Sequence, residues 1–275
     1  MTTVLYVLGP THCGSTVLGN LLGERPGHVS VGELRMAWRR WLDPEAHCGC
    51  GEPVRSCPFW REVAIERAAG DLGVAAAAQL DSRLMATRRL PELAAGRMER
   101  DATPLRAAYT RLQEAVAAAS GASVVVDTSK VPGAAVLLER APVELRVVHL
   151  VRDSRGVLAS HRRRGSPNVP GRTLMALWSA WNAFADQRYG SGARVRYEDA
   201  ADGREIELGV HHTIDGNRNR FRSGRLALVQ DMRWRSQLGR ADRALALAFT
   251  GPLLARYGYL PRTASSSSSW VLDTI

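Results

Sequence analysis

The sequence predicts a single-domain α/β protein with a P-loop-like, five-stranded parallel sheet, flanking helices and one helical insertion. Two observations carry this prediction. Five short apolar runs alternate with stretches of helical periodicity, an order typical of parallel sheets with right-handed crossovers. The first run, residues 4–8, passes through a glycine-bearing loop into a helix, the arrangement in which loop N–H groups and a helix N-terminus form an anion site.

Length and composition set the limits of the domain. The chain has 275 residues, of which 45% are hydrophobic and 23% charged, as in a globular protein with a sizeable core. We assign residues 1–262 to the domain and the Ser-rich residues 263–275 to a flexible tail. No apolar run approaches the roughly 20 residues of a membrane span, and no secretory signal is visible. We therefore expect a cytoplasmic protein with no membrane partner.

The chain is basic, with 37 Lys and Arg against 27 Asp and Glu and a net charge of +10. This charge favours polyanionic ligands such as nucleotides, nucleic acids or acidic membranes. Lys130 is the only lysine in the chain, so a coding bias towards arginine explains much of the arginine excess. That bias does not explain the sign of the net charge.

The first loop has the spacing of a phosphate-binding loop without its lysine. Gly9 and Gly14 are placed as in G-x-x-x-x-G-K-[ST], but Ser15 stands at the lysine position. The loop therefore suits a phosphate-like anion and lacks the ammonium that reaches a β/γ-phosphate. An ordinary turn between a strand and a helix is an equal alternative. The candidate loop residues are Thr11, His12, Cys13, Gly14, Ser15 and Thr16.

Ionisable side chains follow the other predicted strands, at residues 28–31, 123–127, 145–151 and 194–197. In open parallel sheets, ligands bind beyond the carboxyl ends of the strands. We therefore expect the polar residues at these ends to share one rim with the first loop. They are Glu33, Lys130, Arg152 and Tyr197.

The remaining segments complete the domain. Residues 61–119 are rich in Ala, Leu and Arg and predict a helical insertion, in which Thr103 and Pro104 are typical of a helix start. Thr173 is predicted to cap a further helix, and residues 165–172 to form a loop. Residues 209–225 read as a polar loop and residues 242–257 as the last helix.

Four segments together resemble the sulfotransferases that use 3′-phosphoadenosine 5′-phosphosulfate (PAPS). Residues 11–16 are similar to that family's 5′-phosphosulfate loop. Arg152 and Ser160, eight positions apart across a strand–helix junction, resemble its 3′-phosphate pair. Tyr197, in Tyr-Glu-Asp, resembles the tyrosine near the adenine, and residues 216–221, with Arg220, resemble the late basic loop over the nucleotide.

The resemblance implies transfer of a sulfuryl group from PAPS to a hydroxyl or amine of a small-molecule or glycan acceptor, with no catalytic metal. The family usually has Lys or Arg at the position of His12, so stabilisation of the leaving phosphate falls to His12 and Lys130. Glu33, in Gly-Glu after the second strand, matches the family's general base. An ion pair of Glu33 with Arg35 or a neighbouring arginine is the structural alternative.

Three of the four cysteines lie close together in the sequence. His47, Cys48, Cys50 and Cys57 provide the ligand types of a structural zinc site, although C-x-C is tighter than the usual spacing. Free thiols are an equal alternative. A disulfide is disfavoured by the reducing conditions expected for a cytoplasmic protein.

Two other classes of function remain open. A P-loop kinase or NTPase lacks its loop lysine here, and Asp127 is the candidate for its Mg²⁺-binding acid. A nucleic-acid-binding protein would use the basic surface, but no recognisable motif supports this, so we expect no nucleic-acid partner. The sequence does not indicate the acceptor or the oligomeric state.

Overall fold

The computed structural model describes residues 1–164 and 169–260. Part of the loop predicted at residues 165–172, and all of the predicted tail at 263–275, lie outside the described residues. The strands are β1 (Thr3–Leu8), β2 (His28–Gly32), β3 (Val124–Lys130), β4 (Glu144–Val151), β5 (Ala193–Arg196), β6 (Asp202–Leu208) and β7 (Gly224–Val229).

Helices precede and follow these strands. The α-helices are α1 (Ser15–Gly23), α2 (Ala37–Leu42), α3 (Pro58–Val63), α4 (Ile65–Ala69), α5 (Val74–Leu84), α6 (Leu90–Ala94), α7 (Glu99–Ser120), α8 (Pro132–Glu139), α9 (Ser154–Arg163), α10 (Gly171–Tyr189), α11 (Tyr197–Ala200), α12 (Trp234–Gln237) and α13 (Arg240–Arg256). Short 3₁₀ turns cover Leu34–Met36, Gly70–Leu72, Thr87–Arg89 and Arg218–Phe221.

The predicted sheet is confirmed. Five strands form one sheet in the order β2-β3-β1-β4-β5, and β1–β3, β2–β3 and β4–β5 pair in parallel. The central runs are buried because they are continuously apolar and β-branched, as expected for strands covered on both faces. A separate two-stranded sheet joins β6 to β7 and was not predicted.

The chain divides into two compact units. The first holds Met1–Leu8, Ser15–Val147 and Ile206–Leu226, and the second holds Gly9–Gly14, Val148–Glu205 and Ala227–Ile275. The first unit contains β1 to β3 and the helical insertion. There the fully buried Asp81 carboxylate accepts hydrogen bonds from Arg35 (2.7 Å) and Tyr109 (2.9 Å), which ties the insertion to the segment after β2.

The core of the second unit is aromatic. Trp178 on α10 and Tyr257 after α13 are fully buried, with their ring centroids 6.1 Å apart. Leu174, Met175 and Trp178 of α10 therefore pack in this core. This core positions β4 and the start of α9, since the Trp178 indole N–H donates to the carbonyl of Arg152 at 3.1 Å.

Several boundaries differ from the sequence prediction. Helix α7 begins at Glu99 and contains Pro104 in its interior; acidic residues in its first turn favour this earlier start. Helix α10 begins at Gly171 with Pro170 before it, so Thr173 lies inside the helix and does not cap it. The segment 209–225 is not one loop, because it contains a 3₁₀ turn and the start of β7. Tyr197 begins α11, after β5 ends.

Candidate functional site

The loop Gly9–Gly14 belongs to the second unit and requires glycine at two positions. Gly14 has φ +96°, and a Cβ there would lie 2.3 Å from Cδ2 of Tyr197. At Gly9 a Cβ would lie 2.4 Å from the carbonyl oxygen of Leu150. His12 also adopts a positive φ, +63°, a conformation that is uncommon for non-glycine residues and is enriched at functional sites. Thr11 is exposed and Cys13 is buried.

Arg152 connects the loop to the rest of the second unit. Its guanidinium is buried and donates to the carbonyl oxygen of His12 at 2.9 Å. It lies 4.3 Å over the ring of Tyr197, a cation–π distance. Gly156 in the first turn of α9 leaves room for it, because a Cβ there would be 3.3 Å from the Arg152 Nε. The structure thus brings together three residues that the sequence singled out.

Asp231, which sequence reasoning missed, forms ion pairs with three arginines. Its carboxylate lies 3.3 Å from Arg152, 2.6 Å from Arg163 and 2.8 Å from Arg233. Burial would raise the pKa of Asp231, but the hydrogen bond from Arg233 and the charges of Arg163 and Arg152 outweigh it and hold this pKa well below its usual range. Three guanidiniums share one carboxylate, so this cluster keeps an excess of positive charge.

Ser160 lies on α9, the helix that Arg152 precedes. It is buried, and its backbone carbonyl accepts from the N–H of Arg164. The next residue, His161, places its ring 5.6 Å from the ring of His12 in an edge-on arrangement. The side chain of His161 is also hydrogen-bonded to the carbonyl of Val169 at 2.8 Å. One face of α9 therefore holds the loop that the sequence predicts to bind an anion.

Tyr197 and Glu198 of the Tyr-Glu-Asp segment have different roles. Tyr197 packs on Arg152 and Gly14, as described above. Glu198 accepts from the Asp153 N–H at 3.2 Å and from the Tyr259 hydroxyl at 2.6 Å. Burial raises the pKa of Glu198, and these hydrogen bonds oppose that shift. Glu198 thus anchors the N-terminus of α9 and belongs to the framework of the second unit.

In the first unit, Ser15 and Thr16 begin α1. Ser15 is buried, and the Thr16 hydroxyl accepts the backbone N–H of Asn217 at 3.3 Å. Gly216 passes close to the same hydroxyl, since a Cβ there would lie 3.3 Å from it. The late basic segment therefore packs against the first turn of α1.

Glu33 and Lys130 form an ion pair in the first unit. Lys130 ends β3 with φ +68°, another uncommon non-glycine conformation, and its ammonium also donates to the carbonyl of Thr128 at 3.3 Å. Its side chain is 9% exposed, whereas that of Glu33 is 23% exposed. The alternative pairing of Glu33 with Arg35 is wrong, because Arg35 pairs with Asp81.

The late basic segment is joined to Glu33 through the backbone. The Glu33 N–H donates to the carbonyl of Asp215 at 3.2 Å. Arg220 donates to the carbonyl of Thr213 at 3.0 Å and stacks on Phe221. Burial lowers the pKa of Arg220, and the nearby carboxylates of Asp215 and Glu33 act in the opposite direction. Arg220 thus lies within electrostatic range of Glu33, the partner of Lys130.

Asp127 is fully buried at the end of β3. Its carboxylate accepts from the Ser129 backbone N–H at 2.9 Å and from Gln113 at 3.1 Å. Burial raises its pKa to about 6, and the hydrogen bonds limit that rise. Because both oxygens already accept hydrogen bonds, Asp127 serves to shape the turn that carries Lys130. It is poorly suited to bind Mg²⁺.

The cysteines come together with a different histidine from the one predicted. Cys48, Cys50, Cys57 and His212 place one potential ligand atom each within 4.8 Å of all the others. His47 is wrong as the fourth member, because its exposed ring faces the carbonyl of Glu45 at 2.9 Å. The prediction failed because His47 is adjacent to Cys48 and the chain turns it outwards. His212 lies in a segment whose proximity no local pattern shows.

No protein-family model matches the sequence, and no curated protein matches it. Among solved structures, the chain is similar to the sulfotransferase domain from the olefin synthase of Synechococcus PCC 7002. The TM-score is 0.50 at 19% sequence identity, and the match covers 90% of this chain and 94% of that domain. The chain therefore has a sulfotransferase-like fold. None of its described helices is long and apolar enough to cross a membrane.

Proposed function

We propose that this protein is a PAPS-dependent sulfotransferase acting on a hydroxyl or amine of a small-molecule or glycan acceptor. The observation that carries the proposal is the arginine cluster of the second unit. Arg152, at the position that resembles the family's 3′-phosphate ligand, holds the carbonyl of His12 in the predicted phosphosulfate loop. The sulfotransferase-like fold, found without detectable relatedness in sequence, supports the same function.

The residues fit a bisphosphorylated nucleotide. Arg152, Arg163 and Arg233 converge on a single carboxylate, and guanidiniums bind phosphate through paired, charge-assisted hydrogen bonds. A phosphate adds two further negative charges to a cluster that one carboxylate only partly neutralises. We therefore assign Arg152 and Ser160 to the 3′-phosphate, the first loop to the 5′-phosphosulfate and Tyr197 to the adenine.

When bound, the donor supplies a sulfuryl group whose S–O bond to phosphate breaks as the acceptor oxygen or nitrogen forms a new bond to sulfur. Glu33 takes the proton that the acceptor loses. Lys130 and the His12 ring stabilise the charge that develops on the departing phosphate. In the free protein Glu33 and Lys130 form an ion pair, which places the proposed base beside the proposed cation.

The kinase or NTPase alternative is weakened by the structure. Ser15 occupies the position of the loop lysine, and the hydrogen bonds of Asp127 to Ser129 and Gln113 use the carboxylate that Mg²⁺ would need. For the nucleic-acid alternative, several arginines of the second unit are already paired with a carboxylate, as Arg163 is with Asp231, Arg155 with Asp153 and Arg194 with Asp186. We propose that the partner is a small acceptor and that nucleic acid is not a ligand.

The test compares two arginines that have similar surroundings and different proposed roles. Arg152 and Arg155 each pair with an aspartate and each lie 4.3 Å over an aromatic ring, Tyr197 and Trp234 respectively. Arg152→Ala should weaken 3′,5′-bisphosphoadenosine at least about tenfold more than AMP, because AMP lacks the 3′-phosphate and a charged hydrogen-bonded pair contributes about 1.5–3 kcal/mol. Arg155→Ala should change neither affinity. Equal losses for both nucleotides in Arg152→Ala would contradict the assignment.

A further inference from the structure

The cysteine cluster has the geometry of an ion-binding site. The sulfur of Cys57 lies 3.6 Å from that of Cys48 and 3.7 Å from that of Cys50. The His212 Nδ1 lies 3.3 Å from the Cys57 sulfur and 3.6 Å from the Cys48 sulfur. These separations are much longer than a disulfide bond of about 2.05 Å, and all four candidate ligand atoms lie within 4.8 Å of one another.

The same separations correspond to the edges of a ligand tetrahedron around zinc. With Zn–S of about 2.3 Å and Zn–N of about 2.0–2.1 Å, tetrahedral angles give edges of about 3.8 Å between sulfurs and about 3.5 Å between sulfur and nitrogen. Three thiolates and one imidazole in a closed tetrahedron are typical of structural zinc, and soft thiolate ligands disfavour Mg²⁺, Ca²⁺ and Mn²⁺. We propose that Cys48, Cys50, Cys57 and His212 bind one structural Zn²⁺.

The surrounding residues hold the four ligands in place. Cys48 and Gly51 form a tight turn, in which the Gly51 N–H donates to the Cys48 carbonyl at 2.9 Å and Gly51 has φ +95°. The ring of Phe59, two residues after Cys57, stacks on His212 with centroids 5.0 Å apart and planes within 10°. That stacking fixes the plane of the imidazole, and its Nδ1 faces the sulfurs of Cys48 and Cys57. Such contacts commonly fix the orientation of metal ligands.

The backbone around the cluster is closely packed. The Gly49 N–H donates to the Thr213 carbonyl at 2.9 Å. A Cβ at Gly49 would lie 2.3 Å from the Thr213 hydroxyl and 2.4 Å from the His211 carbonyl. Only glycine at position 49 allows the cysteine segment to approach the segment that carries His212 this closely.

The ion would cross-link residues far apart in the chain, since His212 is 155 positions from Cys57 and 164 from Cys48. Directly after His212, Thr213 accepts the hydrogen bond of Arg220 and Ile214 pairs with Val31 of β2. Zinc at this position therefore fixes the start of the late basic segment, including Arg220 and the backbone partner of Glu33. We assign the ion a structural role and no part in the chemistry.

The first experiment measures zinc per chain by plasma mass spectrometry on protein purified without a metal-affinity step. We expect about one zinc per wild-type chain. His212→Ala should lose most of it, whereas His47→Ala and Cys13→Ser should retain it, because these two residues lie outside the cluster. Equal zinc in His212→Ala and His47→Ala, or wild-type protein that binds neither zinc nor added Co²⁺, would overturn the proposal.

A second variant covers the case in which His212→Ala fails to fold. His212→Cys supplies a fourth thiolate and should retain about one zinc per chain, with the tetrahedral thiolate spectrum on replacement by Co²⁺. Loss of metal in a folded His212→Cys protein would also contradict the assignment. Zinc content is measured without nucleotide, so a negative zinc result leaves the proposed sulfotransferase function untouched. Likewise, a negative result for nucleotide binding leaves the zinc proposal untouched.

Discussion

In the free protein Asp231 pairs with the arginine cluster that contains Arg152, our proposed ligand of the 3′-phosphate. Asp231→Asn should therefore lower the stability of the free protein and strengthen the binding of the bisphosphorylated nucleotide. In the free protein the carboxylate contacts Arg152, Arg163 and Arg233, whose side chains are 6%, 29% and 61% exposed. The contact with the exposed Arg233 contributes about 0–1 kcal/mol. The contact with the buried Arg152 dominates, at about 1.5–3 kcal/mol.

We therefore expect Asp231→Asn to lower the free energy of unfolding by about 1.5–3 kcal/mol in the absence of anions. The same substitution removes a negative charge that competes with phosphate for three guanidiniums. Two unit charges about 4 Å apart interact by about 4 kcal/mol at an effective dielectric constant of 20. Binding of 3′,5′-bisphosphoadenosine should accordingly tighten at least about tenfold, while that of AMP should not change.

The assay is isothermal titration calorimetry of both nucleotides, with urea unfolding of each variant without ligand. Asp242→Asn is the matched control, because Asp242 forms a comparable 2.9 Å pair with Arg162, which is exposed and does not contact Asp231. Weaker bisphosphate binding in Asp231→Asn would show that the carboxylate orders the arginines for the ligand. Unchanged binding would show that the 3′-phosphate binds elsewhere. Either result would refute the reasoning.

Three further predictions concern the loop, the catalytic pair and pH. Gly14→Ala should destabilise the protein by about 2–5 kcal/mol in urea unfolding, because the new Cβ meets the ring of Tyr197. Gly203→Ala is the control and should cost only about 1–2 kcal/mol, because Gly203 has φ +90° but nothing near its Cβ position. Equal losses in the two variants would exclude a clash with Tyr197. Glu33→Gln should lower kcat for sulfuryl transfer about 10²–10⁴-fold with bisphosphoadenosine affinity unchanged; full turnover per folded molecule would make Glu33 a structural ion-pair partner. Burial raises the folded-state pKa of Asp127 to about 6, above its unfolded value, so its contribution to stability falls as pH rises from about 4 to 6. In urea unfolding across this pH range, Asp127→Asn should remove that part of the dependence of the free energy of unfolding on pH. An unchanged pH dependence would contradict the prediction.

Much of the fold was predictable because it depends on local pattern. The strands are continuous apolar runs, and the loop at Gly14 needs a residue that tolerates positive φ, so both features are visible in sequence. Arg152 was found in the same way, as the polar residue that follows a buried strand. These signals extend over a few residues and depend on burial and backbone conformation alone.

The remainder depends on contacts between distant segments, which local pattern does not encode. Asp231 follows a short strand in which only Leu228 is buried, so nothing in its neighbourhood indicated a partner for Arg152. His212 lies in the segment predicted as a polar loop, and its cysteine partners lie more than 150 positions earlier, so no local pattern connects them. The sequence predicts that helix α7 begins at Thr103, because Thr-Pro is a strong signal for a helix start. In the structure the helix begins four residues earlier, at Glu99, and Pro104 lies inside it.

The central claim, that this chain binds the 3′-phosphorylated donor nucleotide of a sulfotransferase, is tested most directly by ligand-dependent thermal unfolding. A ligand that binds only the native state raises the melting temperature in proportion to RT ln(1 + [L]/Kd). We predict that 3′,5′-bisphosphoadenosine raises it well above any effect of AMP, or of ATP with Mg²⁺, at equal concentration. A larger shift with ATP and Mg²⁺, or no shift with bisphosphoadenosine, would contradict the claim.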